Sequence, residues 1–427
     1  MNTMDDLRGT LERHAADLAD HDLHVRPVAV RERIRVVRRR RRAVTGAAAA
    51  VVVVAATALT ASLGGRDAEP QPAGPDRDLA GHVAPATMTS LGYTYAFVTG
   101  ASGDGRVRLH LDPSESPSLV SWATAGDDDR VTLRVEGEAP RTLEADDFGD
   151  FTFVAPRQGG TFTLTGTGEV ALAAYDLTDA EVAGDTHAGV TFRDDVAGQR
   201  LVGDAIGDPG DAEVDLATDL GAGPLPVSYL CSGGPKGAWV HISINGGGVL
   251  GGGGCDDSLF DPAGRGGFST RLTEAEARDL DLRMWVTDGE HGPLVEDPDL
   301  RIGVAAYAPA PTSGRLAGSA VPQLVEYDGH LWRFVDAQAN EPGSREVETS
   351  GVRGQDTVVV MSFARTGRGT IRSLRDGEPG EMMFAAGGAG STQAFIPAGD
   401  HSAGLRAAGD GIRPDLELGL ARYVRAD

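Results

Sequence analysis

Basic charge is what this 427-residue chain has least of where most of its sequence lies. Of its 39 Lys and Arg, 11 fall in the first 42 residues beside 7 Asp and Glu, leaving 28 basic against 56 acidic side chains after Arg42. A surface that negative repels phosphate backbones, so nucleic-acid binding outside the N-terminal stretch is excluded. Cysteine is nearly absent as well, with only Cys231 and Cys255. Without a Cys-x-x-Cys spacing they build neither a dithiol redox centre nor a thiolate zinc knuckle. The ten His include no pair at metal-ligand spacing, and no metal site is expected from them. Long apolar runs are missing too, with one exception.

The exception is Ala43 to Leu63, dominated by Ala47 to Ala50 and Val51 to Val54, with no charge between Arg42 and Arg66. At 1.5 Å per residue it is long enough for one hydrocarbon core. Arg38 to Arg42 precede it directly and only Arg66 and Arg77 follow closely, which places residues 1–42 in the cytoplasm and the remainder outside. An uncleaved signal anchor is the expectation. Ala56-Thr57-Ala58 also has the small-residue form of a signal-peptidase site, so cleavage near Leu59 is the competing reading.

In the stub, Asp5 and Asp6 can cap a helix on which Leu7, Leu11, Ala15 and Leu18 make one apolar stripe. The basic run beyond Pro27 lies against anionic headgroups, and the stripe is a candidate docking site for a cytoplasmic protein. This layout, an acidic start, the run ERIRVVRRRRRAV from Glu32 to Val44 and then an Ala/Val helix, resembles that of actinobacterial single-pass envelope proteins and of some membrane-bound anti-sigma factors. The resemblance covers about the first 65 residues. It implies a cytoplasmic regulator, such as a sigma factor, as partner of residues 1–42. The His and Cys-x-x-Cys of zinc-type anti-sigma domains are absent from this stub.

Beyond the membrane segment, Pro70, Pro72 and Pro75 among polar residues read as a flexible linker over 64–86. The rest shows internal repetition. Ser followed by an aromatic, with Gly four residues after the aromatic, occurs at Ser121-Trp122/Gly126, Ser228-Tyr229/Gly233 and Ser362-Phe363/Gly367. A strand-like run and a second Gly follow each: Val131 to Val135 then Gly137, Val240 to Ile244 then Gly246, Ile371 to Leu374 then Gly377. Near each end, Pro298 to Tyr307 aligns without gaps to Pro414 to Tyr423, with Gly168 to Tyr175 a looser copy. Apolar residues alternate with polar ones, as in Val107, Leu109 and Leu111, which is the period of antiparallel strands with one buried face. The expected fold is mainly β: three tandem β-sandwich-like units at 87–178, 187–310 and 316–427, preceded by one transmembrane helix at 43–63 and a short helical cytoplasmic stub. Tyr175, Tyr307 and Tyr423 are expected at sandwich edges in the core. Thr273 to Leu280, with Thr273 and Glu276 as a capping box, is the one helix expected outside the membrane.

Cys231 and Cys255 lie in the middle unit on the outer side of the membrane and are expected to form a structural disulfide tying down the flexible Gly-rich stretch between them. The glycines at Gly246 and Gly251 lack the Lys-Ser/Thr and helix of a phosphate loop and read as a loop tip, so no cofactor is expected. Gly399-Asp400-His401-Ser402-Ala403-Gly404 has Asp400 where a nucleophile elbow needs Gly. Asp127 to Asp129, Asp146-Asp147 and Asp256-Asp257 read either as weak calcium loops or as solubilising surface. No constellation points to an enzyme. The expected function is a membrane-anchored extracytoplasmic binding or structural protein of the cell envelope, its partner a glycan or a protein. The alternative is a signalling protein acting through the stub. Exposed aromatics clustered on one sheet face would favour a glycan.

Overall fold

Alternation and turn signals together explain why nearly every element after residue 77 is a strand. The computed structural model describes residues 77–426, apart from 126–129, 138–139, 145, 219–220, 256–265, 386–389 and 400. The expected stub 1–42, the expected membrane segment 43–63 and the expected linker as far as residue 76 lie outside the described residues. Among the described residues no helix is long and apolar enough to cross a membrane.

Three blocks of chain build the sheets. The first holds β1 (Asp78–Leu79), β2 (His82–Val83), β3 (Thr87–Ser90), β4 (Tyr93–Leu111), β5 (Ser118–Thr124), β6 (Arg130–Val135), β7 (Arg141–Glu144), β8 (Asp147–Val154) and β9 (Gly160–Leu177). The second holds β10 (Gly184–His187), β11 (Val190–Arg193), β12 (Asp195–Val196), β13 (Gln199–Ile206), β14 (Glu213–Thr218), β15 (Gly223–Ser232), β16 (Ala238–Ile244), β17 (Val249–Gly254), β18 (Gly266–Leu272), α1 (Glu274–Arg278), β19 (Leu280–Asp288) and β20 (Arg301–Ala308). The third holds β21 (Thr312–Leu316), β22 (Ser319–Pro322), β23 (Leu324–Tyr327), β24 (His330–Ala339), β25 (Glu346–Ser350), β26 (Thr357–Ala364), β27 (Thr370–Arg375), β28 (Glu378–Ala385), β29 (Gly390–Ile396), β30 (Ser402–Ala408) and β31 (Glu417–Arg425).

The second and third blocks have one topology. A five-stranded sheet runs β12-β13-β20-β15-β18 in one and β23-β24-β31-β26-β29 in the other, opposite four-stranded sheets β14-β19-β16-β17 and β25-β30-β27-β28. The first block follows the same order with two pairs of strands fused. Its β4 and β9 pair throughout, with a register shift between Asp104 and Arg106. On one side of the shift β9 is flanked by β5, on the other by β6. Each block also opens with a two-residue hairpin at Ala80-Gly81, Ala188-Gly189 or Ala317-Gly318, followed by a second at Leu91-Gly92, Ala197-Gly198 or Asp328-Gly329. Both tip residues have positive φ in all six, the turn whose twist matches that of the flanking strands.

Each five-stranded sheet is covered on both faces. In the second block Val227, Tyr229, Val240, Met284 and Val304 pack between the two sheets, while Leu230, Ala305 and Tyr307 pack under Val190 and Phe192 of the hairpin. The other blocks repeat the two cores. Burial on both faces is why the central strands read as continuous apolar runs and not as alternation. Gly303 and Gly419 lie beneath hairpin side chains: a Cβ on Gly303 would meet the Phe192 ring at 2.8 Å, and one on Gly419 would meet Leu316 at 2.3 Å. Tyr175, Tyr307 and Tyr423 are buried in β9, β20 and β31, the middle strands of their five-stranded sheets and not the edges. The hydroxyls of Tyr307 and Tyr423 donate to the Arg193 and Pro322 carbonyls, fastening the opening hairpins.

Three expectations are corrected. The stretch 64–86 is not all linker, since β1 and β2 form a hairpin whose Leu79 and Ala80 enter a core with Tyr175. The third Ser-aromatic copy is out of step. Aligned on their tyrosines, Ser121 and Ser228 are equivalent, whereas Val360 and not Ser362 takes that place. A two-residue displacement keeps every side chain on its own face, so alternation does not reveal it. The Gly251 to Gly254 run is strand β17, paired to β16. There a Cβ on Gly251 would meet Phe268 at 2.5 Å and one on Gly252 the Val240 carbonyl at 2.1 Å. The helix α1 forms with its Thr273–Glu276 capping box.

The second hairpins bring the blocks together. Arg193, 4% exposed, donates from Nη1 and Nη2 to Glu326 of the third block at 3.1 and 2.6 Å and from Nη1 to the Leu91 carbonyl of the first at 2.9 Å. Its guanidinium also lies 5.8 Å from the Tyr93 ring centre, and the Ala197 N–H donates to Glu326. Beside this, the Asp328-Gly329 tip docks on β8, the edge of its sheet. Asp328 accepts from the Phe153 N–H at 3.2 Å and the Ser90 hydroxyl donates to the Gly329 carbonyl. Arg425 donates to His330 Nδ1, leaving Nε2 to donate to the Phe151 carbonyl at 3.0 Å, and the same guanidinium binds Asp150.

Breaking a buried pair from one side leaves an uncompensated charge. Arg193→Met is therefore expected to lower stability by about 3–5 kcal/mol, and Arg193→Met with Glu326→Leu by clearly less. Urea denaturation of both variants tests this, and equal losses would remove the pair from its organising role. Burial pushes the Asp328 carboxyl up to about 6, against the lowering effect of Arg141. A folded value above the ordinary one means protonation favours the folded state. The contribution is full below the ordinary value of 3.8 and lost as the pH rises to about 6. Asp328→Asn keeps an acceptor for Phe153, so the stability of wild type relative to the variant should fall between pH 4 and 6 and level off above. A pH-independent difference would contradict this.

Candidate functional site

Period two on β16 and β19 sorts residues between core and solvent. Val240, Ile242, Ile244, Leu282, Met284 and Val286 point inward. Trp239, His241 and Ser243 on β16 and Asp281, Arg283, Trp285 and Thr287 on β19 take the opposite face, joined by Glu213 and Asp215 of β14. Register places them in rows: Glu213, Trp285 and His241 are direct cross-strand neighbours, as are Asp215, Arg283 and Ser243. Gly252 and Gly254 continue the rows past His241 and Trp239, so β17 adds no side chain beside either ring.

On this face His241 stacks on Trp285 with ring centres 5.2 Å apart. The Thr287 hydroxyl donates to the Gly289 carbonyl and accepts from His241 Nε2 at 2.7 Å, and burial lowers the His241 pKa. Arg283 donates from Nη2 to both Glu213 oxygens at 2.8 Å and lies 5.8 Å from the Trp285 centre. A groove of about 750 Å³ on this face is bounded by Glu213, Asp215, Asp281, Arg283, Trp285 and Thr287, by Gly246 and Gly247 at the β16–β17 turn and by Leu294, with Trp239 beyond its rim on the same face. Leu294 is exposed, as are Val249 and Leu250 at the start of β17. The arrangement offers ring faces, carboxylate acceptors and a floor without side chains.

Cys231 and Cys255 are bridged, with Cα atoms 5.1 Å apart. Cys231 belongs to β15 and enters the core between the sheets, while Cys255 follows β17 directly and donates its N–H to the Ala238 carbonyl. Strand β17 has two exposed apolar side chains and then four glycines, so it sends no side chain into that core and the bridge fastens its end. Elsewhere, Asp146 accepts from the backbone N–H groups of Asp147 and Gly149, and burial raises it to about 6. His401 pairs with Asp376, while Ser402 donates to Glu348 and not to His401. Asp127 to Asp129, Asp256-Asp257 and Asp400 lie outside the described residues. Among the described residues no group of three His, Cys, Asp or Glu is gathered to hold a metal.

The sequence reading found the inward set Val240, Ile242 and Ile244 but passed over the interleaved positions. Aromatics in the polar phase of a strand, Trp239 and His241 here and Trp285 on β19, were the available signal.

No family model matches this chain, and no curated protein matches it. Among solved structures, it is similar to the tandem CBM51 modules of the family 98 glycoside hydrolase from Streptococcus pneumoniae SP3-BS71, at 11% identity over 52% of this chain and 83% of that one, with a TM-score of 0.16. It is also similar to dimeric latent PorU from Porphyromonas gingivalis, at 13% identity over 75% of this chain and 32% of that one, again with a TM-score of 0.16. TM-scores this low carry no argument about fold or function.

Replacing both cysteines by serine removes a bridge closing a loop of sequence separation 24, a loss of about 3 kcal/mol in the chain-entropy description. Hydrogen exchange should accelerate first in residues 249–254. Unchanged protection there would show that the bridge does not hold β17.

Proposed function

We propose that this chain is a membrane-anchored extracytoplasmic binding protein that holds a glycan against the outer face of the β14-β19-β16-β17 sheet. The anchor in this reading is the apolar segment 43–63, supported by its length and by the arginines before it. One observation carries the binding reading. Of the four tryptophans, Trp122 and Trp332 are buried, while the two partly exposed ones, Trp239 and Trp285, share one sheet face with His241. A pyranose ring has an apolar face that suits such a platform and hydroxyls that suit flanking carboxylates, the mix of apolar surface and few polar groups typical of ligand sites.

The test uses the full chain in detergent, with affinity electrophoresis against a panel of envelope and plant polysaccharides. Retardation by at least one polysaccharide is expected. Trp285→Ala should abolish it and Trp239→Ala should weaken it, on the order of ten-fold or more for a ring contact of about 1.5 kcal/mol. Thermal midpoints should move little, since both side chains face outward. Retardation unaffected by either substitution, or none at all, would sink the reading.

A further inference from the structure

Charge on the groove narrows the ligand further. It is lined by three carboxylates, Glu213, Asp215 and Asp281, and one cation, Arg283, a formal charge of −2. The cation is already engaged: both Glu213 oxygens accept from Arg283, and Asp215 lies 4.0 Å from its Nε. Asp281 makes no side-chain hydrogen bond among the described residues, and the Asp215 side chain is 67% exposed. The Trp285 ring beside them is electron-rich on its faces and already draws the Arg283 guanidinium to 5.8 Å from its centre. Outside the groove, the chain beyond Arg42 carries twice as many acidic as basic side chains, a field that repels polyanions and draws cations.

Resting on the glycan reading above, we propose that the groove takes an amine-bearing saccharide, a polymer of hexosamine units whose amino groups are free and protonated. One pyranose lies on Trp285, the polymer continues past Trp239 on the same face, and the ammonium groups of neighbouring units reach Asp215 of β14 and Asp281 of β19. A neutral hydroxyl can donate to the same carboxylates. Covering a carboxylate with ligand removes water from it, however, and a charge-assisted hydrogen bond offsets that cost about twice as well as a neutral one. Uronic acids and phosphate-bearing polymers are excluded by the same balance.

Three hexamers with one β-1,4-linked backbone isolate the amine: those of glucosamine, N-acetylglucosamine and glucose, titrated calorimetrically into the full chain at pH 6. The glucosamine hexamer should bind at least about ten-fold more tightly than the other two, the equivalent of one charge-assisted contact. That preference should shrink as salt rises. Asp215→Asn with Asp281→Asn should erase the preference and leave the weaker binding of the neutral hexamers, whereas Trp285→Ala should weaken all three. Equal binding of all three, or a preference surviving the double substitution, overturns the amine assignment and leaves the glycan reading intact. Binding by none overturns the amine assignment, and the glycan reading is then decided by the electrophoresis panel alone.

Discussion

Arg193 is the residue on which the arrangement of the three blocks depends. It is a fully buried cation at the end of the second block's opening hairpin, held by a carboxylate from the third block and a carbonyl from the first. Desolvating a guanidinium is favourable only when several acceptors meet it in good geometry. Those acceptors exist only when the three second hairpins converge. The Glu326 carboxylate is in turn satisfied from two sides, by the guanidinium and by the Ala197 N–H. A displacement of the second or third block would therefore orphan a charge, and one of the first would take an acceptor from the guanidinium.

The same convergence manages an exposed sheet edge. Strand β8 ends its sheet and would otherwise offer backbone groups to another chain. The Asp328-Gly329-His330 tip meets them with side chains instead, accepting the Phe153 N–H and donating to the Phe151 carbonyl. One hairpin tip thus orients two blocks and closes an edge, and it does so with a carboxyl, Asp328, that burial pushes up to about 6. The opening hairpins contribute at a smaller scale. Each lays an apolar side chain over the central sheet, and in the second and third blocks a bare glycine in the middle strand leaves room for it.

On the second block these constraints leave one face unlike the others. Its four-stranded sheet ends in a strand of glycines that brings no side chain to the core, and a disulfide holds it. The absence of side chains on β17 leaves no side chain from that strand beside the partly exposed Trp239 ring. A structural need, close approach to Phe268 and Tyr229, is met by these four residues, and the binding surface proposed above borders them.

Local pattern was enough for part of this. Period-two alternation, glycine turns and the recurring Gly-x-Ala-x-Tyr ending reveal antiparallel strands and repetition, because face and turn type are set by neighbouring residues. The Thr273–Glu276 capping box marks a helix for the same reason. Other features depend on residues far apart in the chain. Whether a strand is covered on one face or two, and so where Tyr307 sits, follows from which hairpin folds over it. That a run of glycines is a strand follows from what it packs against, and the displacement of Ser362 by two residues shows only in the pairing of β26 with β31. The gathering of Trp239, His241 and Trp285, and the meeting of Arg193 with Glu326, belong to tertiary structure alone. Each joins side chains from segments that only the sheet order or the packing of the blocks makes neighbours.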